Sequence, residues 1–73
     1  MPSEETIGAR IRRLRLDQGY SIREFARLVK AAPSTIAGYE RGAHEPPPGV
    51  LLRAMAHNLR VRPGYLLYGD DPE

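Results

Sequence analysis

The sequence predicts an all-α fold of five short helices, folded as a single domain over residues 1–73. Apolar residues recur three and four positions apart, as on one face of a helix, and glycine or proline separates the segments. No stretch alternates apolar and polar residues as a half-buried strand would. A chain of 73 residues has room for one small core, and without cysteine no disulfide or thiolate-bound metal supplements it.

The composition narrows the possible classes of function. The longest apolar runs are a few residues, against the roughly 20 that span a bilayer, and the residues after Met1 do not resemble a signal peptide. We therefore expect a cytoplasmic protein without a membrane segment. The net charge is only +2, but residues 1–42 carry eight basic and five acidic groups. This excess favours a nucleic-acid surface, with ordinary solvated helix faces as the alternative.

The first helix is predicted to begin after Ser3, which is a good N-cap. Glu4 and Glu5 would then complement the positive end of the helix dipole. Gly19 is a natural stop, because glycine tolerates the left-handed conformation at a helix end. The inner face carries apolar residues at i, i+4 and i+7, namely Ile7, Ile11 and Leu14.

The second and third helices are predicted to form a helix-turn-helix unit over about residues 21–41. Ser21 is the N-cap of the second helix, and Glu24 stands three residues later, at the capping-box spacing. Pro33 suits the first position of the third helix, and Gly42 ends it. The inward residues of the two helices are Phe25, Ala26, Val29, Ile36 and Tyr39. Such a unit normally places its second helix in the major groove of DNA.

A proline-rich loop of residues 43–48 leads to the fourth helix, predicted from about Pro48 to Asn58. The fifth helix is predicted to begin at Pro63 and to end at Gly69. The fourth helix is expected to point Leu52, Met55, Ala56 and Leu59 inward, with partial burial of Val50 and Leu51. From the fifth helix, Tyr65, Leu66 and Leu67 are expected to pack back against the core. The acidic residues 70–73 are expected to fray.

These landmarks together resemble the phage-repressor, or xenobiotic-response-element, family of helix-turn-helix domains. The resemblance extends from residue 7 to residue 69. The motifs that carry it are Ile7-Gly8-Ala9-Arg10-Ile11-Arg12, Ala26, Ser34-Thr35-Ile36, Glu40-Arg41-Gly42 and Pro63-Gly64-Tyr65-Leu66-Leu67-Tyr68-Gly69. It implies a compact five-helix repressor-like bundle that binds double-stranded DNA sequence-specifically as a homodimeric transcriptional repressor. It also implies an ion pair between Arg15 and Glu40.

The resemblance also places contacts to DNA on and around the third helix. The residues concerned are Ser21, Arg23, Pro33, Ser34, Thr35, Ala37, Gly38, Arg41 and His44. None of the positions facing the bases carries the arginine, asparagine or glutamine of strong readout. Ile22 stands where family members usually carry a glutamine that grips the phosphate backbone. We therefore expect weak binding by a monomer and modest specificity from the third helix itself.

Two groups of apolar residues suggest protein contacts. The first group comprises Val61, Tyr65, Leu67 and Tyr68. These residues either form the two-fold contact of a homodimer or complete the small core. The second comprises Tyr20, Ile22 and Leu28, which would form an apolar patch if exposed. Exposed apolar patches mark protein interfaces. An antitoxin-like or anti-regulator-like module that binds a protein partner is therefore the alternative function.

Catalysis is the least favoured class. His44 and His57 fall in different predicted elements, and neither has a cysteine or a pair of carboxylates at a useful spacing. The sequence has no glycine-rich phosphate loop and no metal-ligand spacing. We therefore predict no enzymatic activity, no cofactor or metal, and no small-molecule ligand.

Overall fold

The computed structural model describes residues 5–69, which form five α-helices. They are α1 (Ile7–Asp17), α2 (Ile22–Val29), α3 (Pro33–Arg41), α4 (Val50–Leu59) and α5 (Pro63–Tyr68). Residues 5–69 contain no strand, so the predicted all-α class is confirmed. The acidic residues 70–73, which we expected to fray, lie outside the described residues.

The first helix begins later than the sequence predicted. Its N-cap is Thr6, whose Oγ1 accepts a hydrogen bond from the Ala9 N–H at 3.1 Å, and its first residue is Ile7. Threonine satisfies one of the free N–H groups of the first turn in the same way as serine. The predicted cap, Ser3, lies outside the described residues.

Glu5 precedes α1 and is bonded to arginine side chains of that helix. Its carboxylate accepts hydrogen bonds from Nε and Nη2 of Arg13 at 2.7 and 3.1 Å. The Arg13 guanidinium holds the pKa of Glu5 below its ordinary value. The same Nη2 donates to the Tyr65 hydroxyl at 3.0 Å, and the buried Arg10 donates to the Leu66 carbonyl at 2.9 Å. These bonds tie α5 to α1.

All five helices contribute to one core. Its buried apolar residues are Ile11, Leu14, Phe25, Ala26, Val29, Ile36, Tyr39, Leu52, Met55, Ala56, Leu59 and Leu66. Each residue predicted to face inward from α2, α3 and α4 is among them. Of the α5 residues expected to pack back, Leu66 is buried, whereas Tyr65 and Leu67 are half-buried. Val50 is an error of the sequence prediction, since it is exposed. It opens α4 on the side of the helix opposite Leu52 and Leu59, because two residues correspond to about 200° of rotation.

The first and third helices cross at Gly8, which is buried. A Cβ atom on Gly8 would overlap the Tyr39 carbonyl oxygen and lie 2.8 Å from that of Glu40. These are backbone atoms near the end of α3, so they have little freedom to move aside. Glycine is therefore needed for this close approach, which holds α1 across the helix-turn-helix unit.

Candidate nucleic-acid interface

Local signals define the ends of the two helices of the helix-turn-helix unit. Ser21 Oγ accepts from the Glu24 N–H at 3.0 Å, and Glu24 Oε1 accepts from the Ser21 N–H at 2.8 Å. The bond from the Ser21 N–H holds the pKa of Glu24 below its ordinary value. α2 ends at Lys30 in the left-handed conformation, and α3 begins at Pro33 and is capped by Gly42, with φ of 81°. The turn between them is therefore short and well defined.

The unit is held against α1 by the pair of Arg15 and Glu40. Nε and Nη2 of Arg15 donate to the two carboxylate oxygens of Glu40 at 2.7 and 3.0 Å, and Nη1 donates to the Tyr20 carbonyl at 2.8 Å. Both charged side chains are only 6% exposed. The Glu40 carboxylate raises the pKa of Arg15, so the guanidinium keeps its charge at neutral pH. The pair expected from the resemblance thus joins α1, the following loop and α3.

The outward face of α3 contains most of the proposed base contacts. Pro33, Ser34 and Arg41 are exposed, whereas Thr35 and Ala37 are half-buried. Ser34 and Arg41 are seven residues apart, which places them on the same side of a helix two turns from one another. This face contains a hydroxyl group near its start and a guanidinium near its end.

Gly38 also lies on this outward face by its spacing from Ser34, yet it is buried. The imidazole of His44 covers it: a Cβ atom on Gly38 would lie 2.5 Å from Nε2 and 3.1 Å from Cδ2 of that ring. Gly38, which is among the predicted DNA contacts, is therefore covered in this structure and not exposed on this face. His44 itself is exposed, as a group that contacts DNA must be.

The second helix adds a cationic group that sequence reasoning missed. Arg23 is exposed as expected, and Arg27 lies one turn later on the same side of α2. Both line an open cleft of about 410 Å³, together with Ala26, Ala31 and Pro33. The four-residue spacing of the two arginines indicates that they share one side of α2. Their position beside Pro33 depends on how the turn between α2 and α3 folds.

The apolar patch suggested by the sequence is mostly covered. Tyr20 stacks on Phe25 with 6.1 Å between ring centroids, and Ile22 packs against the core. Of these three residues only Leu28 is exposed, with 46% of its surface accessible to solvent. The patch is therefore a small area around Leu28 rather than a surface formed by three exposed side chains.

The proposed dimer residues differ in exposure. Tyr68 is 75% exposed, whereas Val61, Tyr65 and Leu67 are half-buried and pack against the core. Val61 and Tyr65 also line an open groove of about 540 Å³ beside α5. The remaining lining residues of this groove are Leu14, His57, Arg60 and Arg62.

Within residues 5–69, no group of three histidine or acidic side chains could hold a metal ion. None of the five helices in this part of the chain has the length and apolar character needed to cross a membrane.

Comparisons with known proteins agree on the family. A family model described as "Helix-turn-helix domain" matches residues 6–64. The comparison with curated protein sequences gave no match. Among solved structures, the P22 c2 repressor protein in complex with a synthetic operator is 32% identical, with a TM-score of 0.84. The alignment covers 90% of this chain and 98% of the repressor chain.

Two further structures are similar over most of their length. SinR, the master regulator for biofilm formation, is from Bacillus subtilis. In its complex with DNA it is 31% identical, with a TM-score of 0.77, covering 84% of this chain and 97% of that one. The restriction-modification controller protein C.AhdI from Aeromonas hydrophila is 31% identical, with a TM-score of 0.74, covering 84% and 91%. The chain therefore belongs to the helix-turn-helix domain family, in its phage-repressor type, and is not an enzyme.

Proposed function

We propose that this protein is a sequence-specific transcriptional regulator that binds double-stranded DNA in the cytoplasm, as a homodimeric repressor. The observation that carries the proposal is the exposed outward face of α3, with Arg41 at its end and Arg23 beside its start. Glu40 is the one acidic residue of α3, and its carboxylate is paired with Arg15. Docking of this face in the major groove would therefore meet no unpaired carboxylate from α3 itself.

Similar proteins support this docking mode. The P22 c2 repressor was solved with a synthetic operator and SinR with DNA, and their alignments cover 90% and 84% of this chain. In a helix-turn-helix the second helix enters the groove and the first lies across the backbone. Here those helices are α3 and α2.

The proposed contacts fall into two classes. Arg23, Arg27 and Arg41 would meet phosphates, and Ser21 adds a hydroxyl at the N-terminal end of α2, where free N–H groups also favour an anion. Ser34 would face the base edges, with Thr35 half-buried behind it. Phosphate contacts supply most of the affinity and base contacts supply the specificity. One subunit offers few of either, so two subunits are needed for tight binding.

The homodimer would form through the C-terminal region, with Tyr68 at its centre and Val61, Tyr65 and Leu67 around it. Tyr68 supplies the exposed aromatic surface, and the hydrogen bonds of Arg10 and Arg13 hold α5 in place. Two α3 helices related by a two-fold axis would read half-sites about 34 Å apart, one turn of DNA.

Selection of DNA from a random double-stranded pool tests the function. At low salt the wild-type protein is expected to enrich an inverted repeat with half-site centres about 10 base pairs apart. A second round at about 0.15 M salt should retain the same sequence with fewer bound molecules, because phosphate contacts weaken with salt. Absence of any enriched sequence at low salt would contradict the proposal and favour the protein-binding alternative, for which Leu28 is the exposed anchor.

The dimer is tested by replacing Tyr68 with arginine. The exposed side chain contributes little to the core, so the variant should fold normally while two like charges meet at the two-fold contact. We expect the dimer dissociation constant, measured by sedimentation equilibrium, to rise at least tenfold, or about 1.4 kcal/mol. Leu16→Arg is the matched control, since Leu16 is 53% exposed on α1. If Tyr68→Arg and Leu16→Arg gave the same dimer dissociation constant, the dimer contact would lie elsewhere.

A further inference from the structure

The outward face of α3 has a gap at its centre. Ser34, position 38 and Arg41 follow one another at i, i+4 and i+7, so they share one side of the helix. The central position is glycine and has no side chain to offer a base. The imidazole of His44 occupies the space that a side chain of residue 38 would fill, with Nε2, Cδ2 and Cε1 all within 3.3 Å of its Cβ position.

The chain reversal after α3 places this ring. The Ala43 N–H donates to the Gly38 carbonyl at 2.9 Å and the Gly42 N–H donates to the Tyr39 carbonyl at 3.1 Å, which is the Schellman pattern of a helix end. The His44 ring then meets the Tyr39 ring edge-on, with 5.8 Å between centroids and 88° between planes. Pro46, two residues later, is buried. The imidazole therefore lies against both Gly38 and the Tyr39 ring.

We propose that His44 is a base-contacting residue, supplied by the loop in place of the missing side chain at position 38 of α3. The inference rests on the proposed docking of α3 in the major groove. A neutral imidazole has one donor and one acceptor nitrogen, and an imidazolium has two donors. Guanine presents two acceptors, N7 and O6, in the major groove. His44 would thus read a guanine within the half-site, between the contacts of Ser34 and Arg41.

The test compares His44→Ala with Gln18→Ala. Gln18 is exposed at the end of α1 and belongs to neither the proposed DNA contacts nor the proposed dimer contacts. Dissociation constants are measured for the selected operator and for each of its single-base-pair variants. We expect His44→Ala to lose about tenfold discrimination at one or two adjacent base pairs. The control variant should keep it.

A second variant changes the ring position without removing the histidine. In Gly38→Ala the new Cβ would lie 2.5 Å from His44 Nε2, so the ring must move outward. Discrimination should fall at the same base pairs as in His44→Ala. The far-ultraviolet circular dichroism of both variants, compared with the wild type, shows whether the helices are retained.

The outcomes separate this inference from the proposed function. If the wild type selects an operator and Arg23→Ala weakens binding, yet His44→Ala weakens all sequences equally, then His44 contacts a phosphate and the inference is overturned. The inference is overturned as well if His44→Ala keeps the wild-type discrimination at every base pair of the operator. If the wild type selects no DNA, the proposed function itself fails and takes the inference with it.

Discussion

Replacing Glu40 with alanine is expected to lower the free energy of unfolding by about 3–5 kcal/mol. The change leaves the Arg15 guanidinium buried without its carboxylate, keeping only its bond to the Tyr20 carbonyl. Small domains have only about 5–15 kcal/mol of stability, and a 73-residue domain lies near the lower end. Urea denaturation followed by circular dichroism measures the loss.

Two variants show that the effect comes from the buried charge. Glu45→Ala removes an exposed carboxylate from the loop after α3 and should change stability by less than about 0.5 kcal/mol. The double variant Arg15→Met with Glu40→Leu removes both charges and should be more stable than Glu40→Ala alone. A loss in Glu40→Ala no larger than in Glu45→Ala would show that the pair adds nothing to the fold.

The second large effect is on DNA binding. Arg23→Ala combined with Arg41→Ala should weaken operator binding by about two to three orders of magnitude at 0.1 M salt, because a homodimer loses four phosphate contacts at once. The slope of log affinity against log salt should fall by about 3 to 4 units. Both side chains are exposed, so the fold should remain intact. Fluorescence anisotropy over a range of salt concentrations gives both quantities.

The matched control removes the same charge from another surface. Arg12 and Arg53 are exposed on α1 and α4, outside the helix-turn-helix unit. Arg12→Ala combined with Arg53→Ala lowers the net charge equally, so it reports the effect of overall charge on association. If both double variants weakened binding to the same extent, the assigned docking face would be wrong.

The helices and the core could be predicted because their signals are local. Ser21 and Glu24 lie three residues apart and cap α2 by bonding to one another, and Pro33 and Gly42 act within a single turn of the ends of α3. Apolar spacing identified the buried faces, since a helix returns to the same side every 3.6 residues. The start of α1 was misplaced because serine and threonine, both good caps, stand three residues apart.

The interface was predicted less completely. Arg23, Ser34 and Arg41 are exposed as expected, whereas Gly38 is covered by the His44 ring. The sequence also did not indicate that Arg27 lines the cleft beside Pro33. Each of these depends on which side chain reaches across from another element. Helical spacing gives the direction of a side chain from its own axis but not what lies opposite.

The sequence by itself determined five helices, a helix-turn-helix unit and a third helix that carries few residue types able to read bases. Those features follow from capping, periodicity and residue type, which act over a few residues. Only the tertiary structure decided that His44 covers Gly38, that Arg13 connects α1 to α5 through Tyr65, and that Tyr20 and Ile22 are half-buried against the core. These contacts arise from the packing of helices and loops against one another, and packing alone sets which surface is left exposed.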